Sequence, residues 1–345
     1  MKRIVFLILL LLLIMAAYFG WIFLKGQPTF ASQEKFFYIH TDSADKATIL
    51  HNLGRDSIIK NLAAFEKAAN RMGYWQQIKP GRYQITKGEA LLTILRRLKN
   101  GQQTPVNLTI VKLRTSQDLA RLMGRRFEFD SARAIQAFTD TNLLRKYGLD
   151  STTIMTAVMP DTYRFFWNST PAEVFDKLYQ ESEKFWNPDR VARAREHNLS
   201  PREAYTLASI IEEETNAKTD KPNIASVYLN RMRLGMPLQA DPTIKFAMRN
   251  FGLKRIYHKY LDTESPYNTY RNKGLPPGPI CTPSRETLEA VLDAPQTDYL
   301  YFVANKDFSN THIFTSNYRD HMKYAREYQQ ALNRQDSIRK GLLKE

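Results

Sequence analysis

Cysteine is almost absent from this chain: Cys281 stands alone among 345 residues. One thiol forms no intramolecular disulfide and builds no cysteine-based zinc cluster. Histidine is scarce as well. His40, His51, His197, His258, His312 and His321 are the six copies, and none sits in an HExxH pair. That spacing is what puts two imidazoles on one helical face for zinc. No metal and no other cofactor is therefore expected. Acidic residues are in deficit, with 35 Asp and Glu against 50 Lys and Arg, for a net charge of +15. Such a surface suits nucleic acid, anionic phospholipid or a carboxylate-bearing cell-wall polymer, and charge alone does not choose among them. Internal repeats and low-complexity blocks are missing too. At 43% hydrophobic and 12% aromatic residues, the chain is rich enough in apolar mass to build packed domains.

Charge is also missing from one long stretch, Ile4 to Leu24. About 20 residues at 1.5 Å each match the roughly 30 Å hydrocarbon core of a bilayer. Lys2 and Arg3 precede the run and Lys25 follows it, so the positive-inside rule puts the N-terminus in the cytoplasm and exports the body. A cleaved signal peptide is the alternative. Its apolar region is about 7–15 residues ending in small side chains, and Met15-Ala-Ala-Tyr-Phe-Gly20 is a poor cleavage site. The reading is a single-pass anchor over residues 1–25. An exported body excludes nucleic acid as the partner.

Beyond a polar juncture, Gly26–Glu34, small elements alternate. A strand is expected at Lys35–His40, helices near Ala44–Asn52 and Ile58–Arg71, a strand entered by the turn at Lys79-Pro-Gly, and a helix over Gly88–Leu98 closed by Asn100-Gly101. That alternation predicts a compact α+β module. A strand at Leu108–Lys112 and a helix capped by Ser116 follow. Residues 129–198 read as mostly helical, interrupted by Val158–Phe165. Further on, helices are predicted to end near Asn216, to span Pro222–Leu234 before Gly235, and to start at Thr282-Pro283. Tyr299–Ala304 and His312–Thr315 read as a β-hairpin, and the tail from Tyr318 as a charged amphipathic helix.

One helix carries an anomaly. Ser200-Pro-Arg-Glu203 reads as a capping box with proline at the first helical position. Leu207, Ile210 and Ile211 then mark one apolar face, and Glu214 follows them by seven, four and three residues, on that same face. Glu212 lies about 200° away around the helix. Burial disfavours a carboxylate and raises its pKa, and Glu212 and Glu213 would push the same way if close in space. A carboxyl that keeps its proton near neutral pH can protonate a glycosidic oxygen. The alternative is a solvated acidic turn in which Glu214 pairs with Lys218 at i+4, worth about 0.3–0.5 kcal/mol.

Other candidates lie downstream. Leu238-Gln-Ala-Asp-Pro-Thr-Ile244 reads as a loop presenting Gln239 and Asp241 to a cleft, or as an Asx-turn with Asp241 bonding its own backbone. Tyr267-Asn-Thr-Tyr270 precedes Gly274-Leu-Pro-Pro-Gly-Pro-Ile280, whose prolines stiffen the chain. Asn268 and Tyr270 bring the amide and hydroxyl groups a sugar groove needs. An ordinary ordered connection fits the same spacing. His312 and His321 read as structural histidines.

In order and spacing, these segments resemble the endolytic murein transglycosylase, or YceG-like, family. The resemblance rests on Pro160-Asp-Thr-Tyr163, Leu207–Thr215, Ala225–Gly235, Leu238–Thr243, Tyr267–Tyr270, Gly274–Gly278, Tyr299–Val303 and the run from His312 to His321. It departs at Val158-Met159, where an aromatic is more usual, and in residues 249–261. The resemblance implies cleavage of peptidoglycan glycan strands at internal MurNAc–GlcNAc bonds, leaving 1,6-anhydro-MurNAc ends and terminating strand growth. It implies Glu214 as the catalytic acid. Glu212 matches the first glutamate of the motif, and Glu213 falls at a variable, solvent-facing position. Gln239, Asp241, Asn268 and Tyr270 would then bind sugar or support Glu214. The implied fold is α+β: an anchor (1–25), a juncture and LysM-like module (26–113), a transglycosylase domain (114–335) and a charged tail (336–345). Implied partners are glycan strands, the bacterial cytoplasmic membrane and peptidoglycan synthases. Two rivals are a true muramidase using Asp241 as base or nucleophile, and a peptidoglycan-binding scaffold.

Overall fold

A computed structural model describes residues 2–24, 28–253 and 255–342. The fold is mixed α and β, and the chain divides into two compact units. One comprises residues 1–108, 123–130 and 163–170, the other residues 109–122, 131–162 and 171–345.

The first unit begins with helix α1 (Lys2–Leu24). Its side chains are described without a break only from Phe6 to Tyr18, and among the described residues no helix is long and apolar enough to cross a membrane. Met1 and Lys25, the ends of the expected anchor, and residues 26–27 of the expected juncture lie outside the described residues. Strand β1 (Glu34–Ile39), helices α2 (Lys46–Arg55) and α3 (Leu62–Arg71), strand β2 (Gly81–Thr86) and helix α4 (Leu91–Asn100) follow. β1 and β2 pair antiparallel, from Glu34 opposite Thr86 to Ile39 opposite Gly81. Alternation along them turns Phe37, Ile39, Tyr83 and Ile85 into a core shared with Leu53, Phe65 and Leu95. The expected helix over Ile58–Arg71 starts later, at Leu62. Ser57 has a left-handed φ of 57°, and the Asn61 side chain caps the helix by accepting from Ala64 N at 3.0 Å. Ile58 and Ile59 enter the core from the loop instead.

The chain passes between the two units within strands β3 (Val106–Ile110) and β4 (Asp161–Phe165), which pair with each other, and again at residues 122–123, 130–131 and 170–171. Between them lie α5 (Ser116–Gly124), α6 (Ser131–Thr139) and α7 (Thr141–Lys146). Helices α8 (Pro171–Phe185), α9 (Pro188–Glu196), α10 (Pro201–Glu214), α11 (Lys221–Arg233), α12 (Asp241–Ala247), α13 (His258–Leu261) and α14 (Arg285–Leu292) make up most of the second unit. Strands β5 (Tyr301–Ala304) and β6 (His312–Thr315) form the expected hairpin, with Phe302 opposite Phe314. Helix α15 (Tyr318–Leu342) packs along it; residues 343–345, the end of the expected tail, lie outside the described residues.

Helix α10 is the hub of this unit. The predicted capping box is present: Ser200 Oγ accepts from Glu203 N, and the Glu203 carboxylate accepts from Ser200 N at 2.8 Å. The apolar stripe is wider than the sequence pattern suggested. Every residue from Ala204 to Ile211 is buried, because α9, α11, α12 and α14 all pack against α10. Ser209 uses its hydroxyl both to donate to Thr206 O at 2.7 Å and to accept from Ile280 N at 3.0 Å. The proline-rich loop is thereby laid on the helix. Cys281 is buried there, its thiol donating to Ser209 O at 3.3 Å.

Candidate active site

Helix α10 ends on three consecutive glutamates, and each meets a different environment. Glu212 turns toward α11 and α14. It accepts from Lys221 Nζ at 3.0 Å, from Ser284 Oγ at 3.0 Å and from the Thr287 hydroxyl. Burial pushes its pKa up, but the Thr287 hydroxyl and the Lys221 charge outweigh that and hold it below the usual carboxylate value. Glu213 turns to the segment after β3, where Lys112 Nζ stands 2.9 Å away and Arg114 3.0 Å. Burial is again outweighed by these cations, and Glu213 too is held low. This corrects the expectation of a solvent-facing Glu213, whose side chain is only 15% exposed. A variable residue type at a position does not make the position a surface one.

Glu214 has neither a paired cation nor a hydroxyl cluster. Its Oε1 accepts one bond, from the Tyr228 hydroxyl at 2.6 Å, and Oε2 bonds to no described residue. Desolvation dominates and pushes its pKa up to about 7. The Tyr228 bond opposes the rise, Asp241 adds to it by repulsion, and Lys245 and Arg231 pull it back. The repelling carboxylate is thus Asp241 and not the neighbouring Glu212 and Glu213. The exposed-pair alternative fails as well, because Lys218 reaches Glu286 at 2.9 Å. Glu214 as a residue is partly exposed and borders a cleft of about 570 Å³ that Asn305, Phe308, His312 and Tyr328 also line. A larger groove of about 900 Å³ between α9, α11 and the proline-rich loop does not include Glu214.

The residues around Glu214 come from α11, from the start of α12 and from the turn at residues 268–270. Tyr228 is buried on α11, and burial beside Glu214 pushes its pKa well above the ordinary phenol value, so it stays a donor. Three residues on, Arg231 is buried too, donating to Leu300 O at 2.8 Å and Leu238 O at 2.7 Å. The segment expected to be a loop through Ile244 is one only as far as Ala240. Asp241 starts α12 with Pro242 in its first turn, which a fixed φ favours. Asp241 Oδ1 accepts from the Tyr270 hydroxyl at 2.5 Å, which replaces the expected Asx-turn. Gln239 is exposed with φ 54°, its backbone N–H donating to Thr269 O at 3.0 Å. Asn268 is fully buried, its amide donating to Leu261 O and Thr263 O while its oxygen accepts from Tyr270 N at 2.9 Å. Asn268 thus shapes the turn that delivers Tyr270 to Asp241.

The histidines divide. His312 Nδ1 lies 2.9 Å from Asp220, joining the hairpin to the start of α11. His321 stacks on Tyr301 at 5.2 Å, and burial followed by the Arg231 charge pushes its pKa below the usual imidazole value. Among the described residues, no group of three or more His, Cys, Asp or Glu is placed to hold a metal ion. Sequence reading passed over Tyr228 and Arg231. Their signal was the spacing Ile224, Tyr228, Arg231, which puts a phenol and a guanidinium on a helix face that also carries apolar residues.

Comparison with known proteins identifies the family. A family model described as the YceG-like family matches residues 37–327. The endolytic murein transglycosylase of Bacillus subtilis strain 168 is 29% identical over 291 residues, covering 80% of each chain. The endolytic murein transglycosylase of Streptococcus pneumoniae serotype 2 is 26% identical over 94% of this chain, which spans 64% of that protein's length. A crystal structure of a yceG-like protein from Listeria monocytogenes shares the fold, with a TM-score of 0.53 at 24% identity, covering 85% of this chain and 99% of that one.

Proposed function

The chain belongs to the YceG-like family, and from that premise we propose that it is an endolytic peptidoglycan lytic transglycosylase with Glu214 as its acid and base. The observation that carries the reading is the contrast along α10: Glu212 and Glu213 are held ionised, while Glu214, at the cleft, has its pKa pushed up to about 7.

In this mechanism Glu214 starts protonated. Oε1 accepts the Tyr228 hydrogen bond, which leaves the proton on Oε2, the oxygen without a described partner. Oε2 gives that proton to O4, the oxygen between MurNAc C1 and GlcNAc C4. The C1–O4 bond breaks with its electrons going to O4, and C1 gains oxocarbenium character. The 6-hydroxyl of the same MurNAc attacks C1 and returns its proton to Glu214. No water is consumed, and the enzyme ends as it began. An internal hydroxyl reacts with an effective molarity of about 10⁵–10⁸ M, so no second carboxylate has to activate a nucleophile. Tyr228 bonds the carboxyl in both protonation states and fixes its direction. Burial keeps Glu214 protonated near neutral pH, Asp241, oriented by Tyr270 and Asn268, adds to that by repulsion, and the exposed Gln239 borders the same turn.

Asp241 also supports a second reading, a muramidase in which that carboxylate activates water, as two-carboxylate glycosidases do. Mass spectrometry of products from purified glycan strands separates the two. 1,6-Anhydro ends support the transglycosylase; reducing muramic acid ends overturn it. A Glu214→Gln protein that digests strands as well as the wild type would remove Glu214 from the mechanism, whereas a wild type that binds strands without cutting them would favour a binding scaffold.

The remainder of the chain fits a membrane-tethered cell-wall enzyme. The order β1-α2-α3-β2, with the two strands antiparallel, supports a LysM-like glycan-binding module. The uncharged run after Lys2 and Arg3 supports a single anchor in the bacterial cytoplasmic membrane with the cleft outside. There the net charge of +15 favours carboxylate-bearing strands and anionic lipid, and synthases that extrude nascent strands are the natural protein partners.

A further inference from the structure

One wall of the cleft beside Glu214 has no part in the chemistry above. It is built by the loop from β5 to β6, residues 305–311, and by Tyr328 of α15. Phe308 and Asn310 both lie in the left-handed region, with φ of 57° and 61°. Asn tolerates that conformation, whereas for a bulky residue such as Phe it is costly and calls for a reason.

The loop holds Phe308 there by local bonds. Phe308 N donates to Asn305 O at 3.1 Å, and Asn305 N to Thr311 O at 2.8 Å. Ser309 N donates to Asp307 Oδ1 at 2.9 Å, and an ion pair of 2.8 Å from Lys306 to Glu327 ties the loop to α15. The Phe308 ring lies 6.0 Å from the Tyr328 ring, yet Phe308 remains 37% exposed. The strain therefore serves a surface aromatic and not a core.

The lining is largely uncharged. Aromatic faces from Phe308 and Tyr328 stand beside the amides of Asn305 and Asn310 and the hydroxyls of Ser309 and Thr311, and among the described residues no Lys, Arg or Asp borders the cleft, Lys306 of the loop being paired with Glu327. The cations that act on Glu214, Lys245 and Arg231, belong to α12 and α11 instead. The two sugars joined by the scissile oxygen differ in the same respect. MurNAc carries a lactyl ether and a carboxylate-bearing peptide, whereas GlcNAc carries only hydroxyls, an acetamide and an apolar ring face. A volume of about 570 Å³ is that of a small-ligand cleft.

We propose that the Phe308–Tyr328 wall is the subsite for the uncharged GlcNAc that leaves when the bond is cut, with Phe308 stacking on its ring and Asn310 bonding its acetamide. This assignment rests on the transglycosylase reading. Glu214 borders the same cleft, so a GlcNAc held there lies beside the proposed proton donor.

The test uses tri-N-acetylchitotriose, a neutral GlcNAc oligomer without lactyl groups, titrated calorimetrically into the detergent-solubilised full chain carrying Glu214→Gln. Binding is expected, and adding Phe308→Ala should weaken it about tenfold, as for loss of one stacking contact of roughly 50 Å². Phe308→Tyr, which keeps the ring, should retain affinity. Asn310→Gly, which suits the left-handed backbone and removes only the amide, should weaken binding severalfold. Absence of binding, or equal affinity with Phe308→Ala and Asn310→Gly, overturns the subsite. Failure of the reaction itself would register elsewhere, in strand cleavage that survives Glu214→Gln.

Discussion

A catalytic acid held protonated by burial destabilises the protein that holds it once the pH rises. Glu214 has its pKa moved from 4.5 to about 7. The folded state therefore binds this proton more tightly than the unfolded chain does. Its contribution to stability is fully present below pH 4.5 and is lost as the pH rises through about 7. At about 1.36 kcal/mol per pH unit, the loss amounts to about 3 kcal/mol. Water in the cleft screens part of it, so about 2 kcal/mol is expected in practice. Glu214→Gln removes the titration, and its amide oxygen can still accept the Tyr228 bond. This variant, expected to lose strand cleavage, should thus be more stable than the wild type by about 2 kcal/mol at pH 8, with the difference fading toward pH 4.5. Urea unfolding of both proteins across pH 4.5–8 measures it, and groups shared by the two, His321 included, cancel in the comparison. A difference that does not grow with pH, or a Gln variant that is less stable at pH 8, would refute the claim that burial raises this pKa.

The same electrostatics predict opposite shifts from two neighbours. Tyr228→Phe deletes a bond that favours the carboxylate, so the alkaline limb of kcat/KM should move up from about 7 by about one pH unit while kcat falls. Asp241→Asn deletes a repelling charge, so that limb should move below 7, with 1,6-anhydro products still formed; reducing ends in the wild-type products would point instead to Asp241 as a base. Lys221→Met leaves Glu212, whose side chain is 15% exposed, without its cation, and thermal or urea unfolding should register a loss of about 3 kcal/mol. A loss below about 1 kcal/mol would mean that the Ser284 and Thr287 hydroxyls alone satisfy Glu212.

Much of the fold could be read along the chain because its signals are local. Ser200 and Glu203 cap α10 within one turn, Gly235 with φ 65° closes α11, and period-two alternation marks β1 and β2. Local signals also misled where distant packing decides. The helix predicted from Ile58 gave way to a loop whose isoleucines fill the core of the first unit, and the single face predicted for α10 became a helix buried on every side.

The sequence by itself singled out Glu214, because helical spacing is intrinsic to the backbone and puts that acid in register with Leu207, Ile210 and Ile211. It could not say what would surround the three glutamates. Lys112 and Arg114 are about 100 positions from Glu213, Ser284 and Thr287 more than 70 from Glu212, and Tyr270 is 29 from Asp241. Only the tertiary fold brings cations to two of these carboxylates and leaves the third with a phenol and a repelling aspartate. A pKa is set by neighbours in space, and no spacing along the chain encodes them.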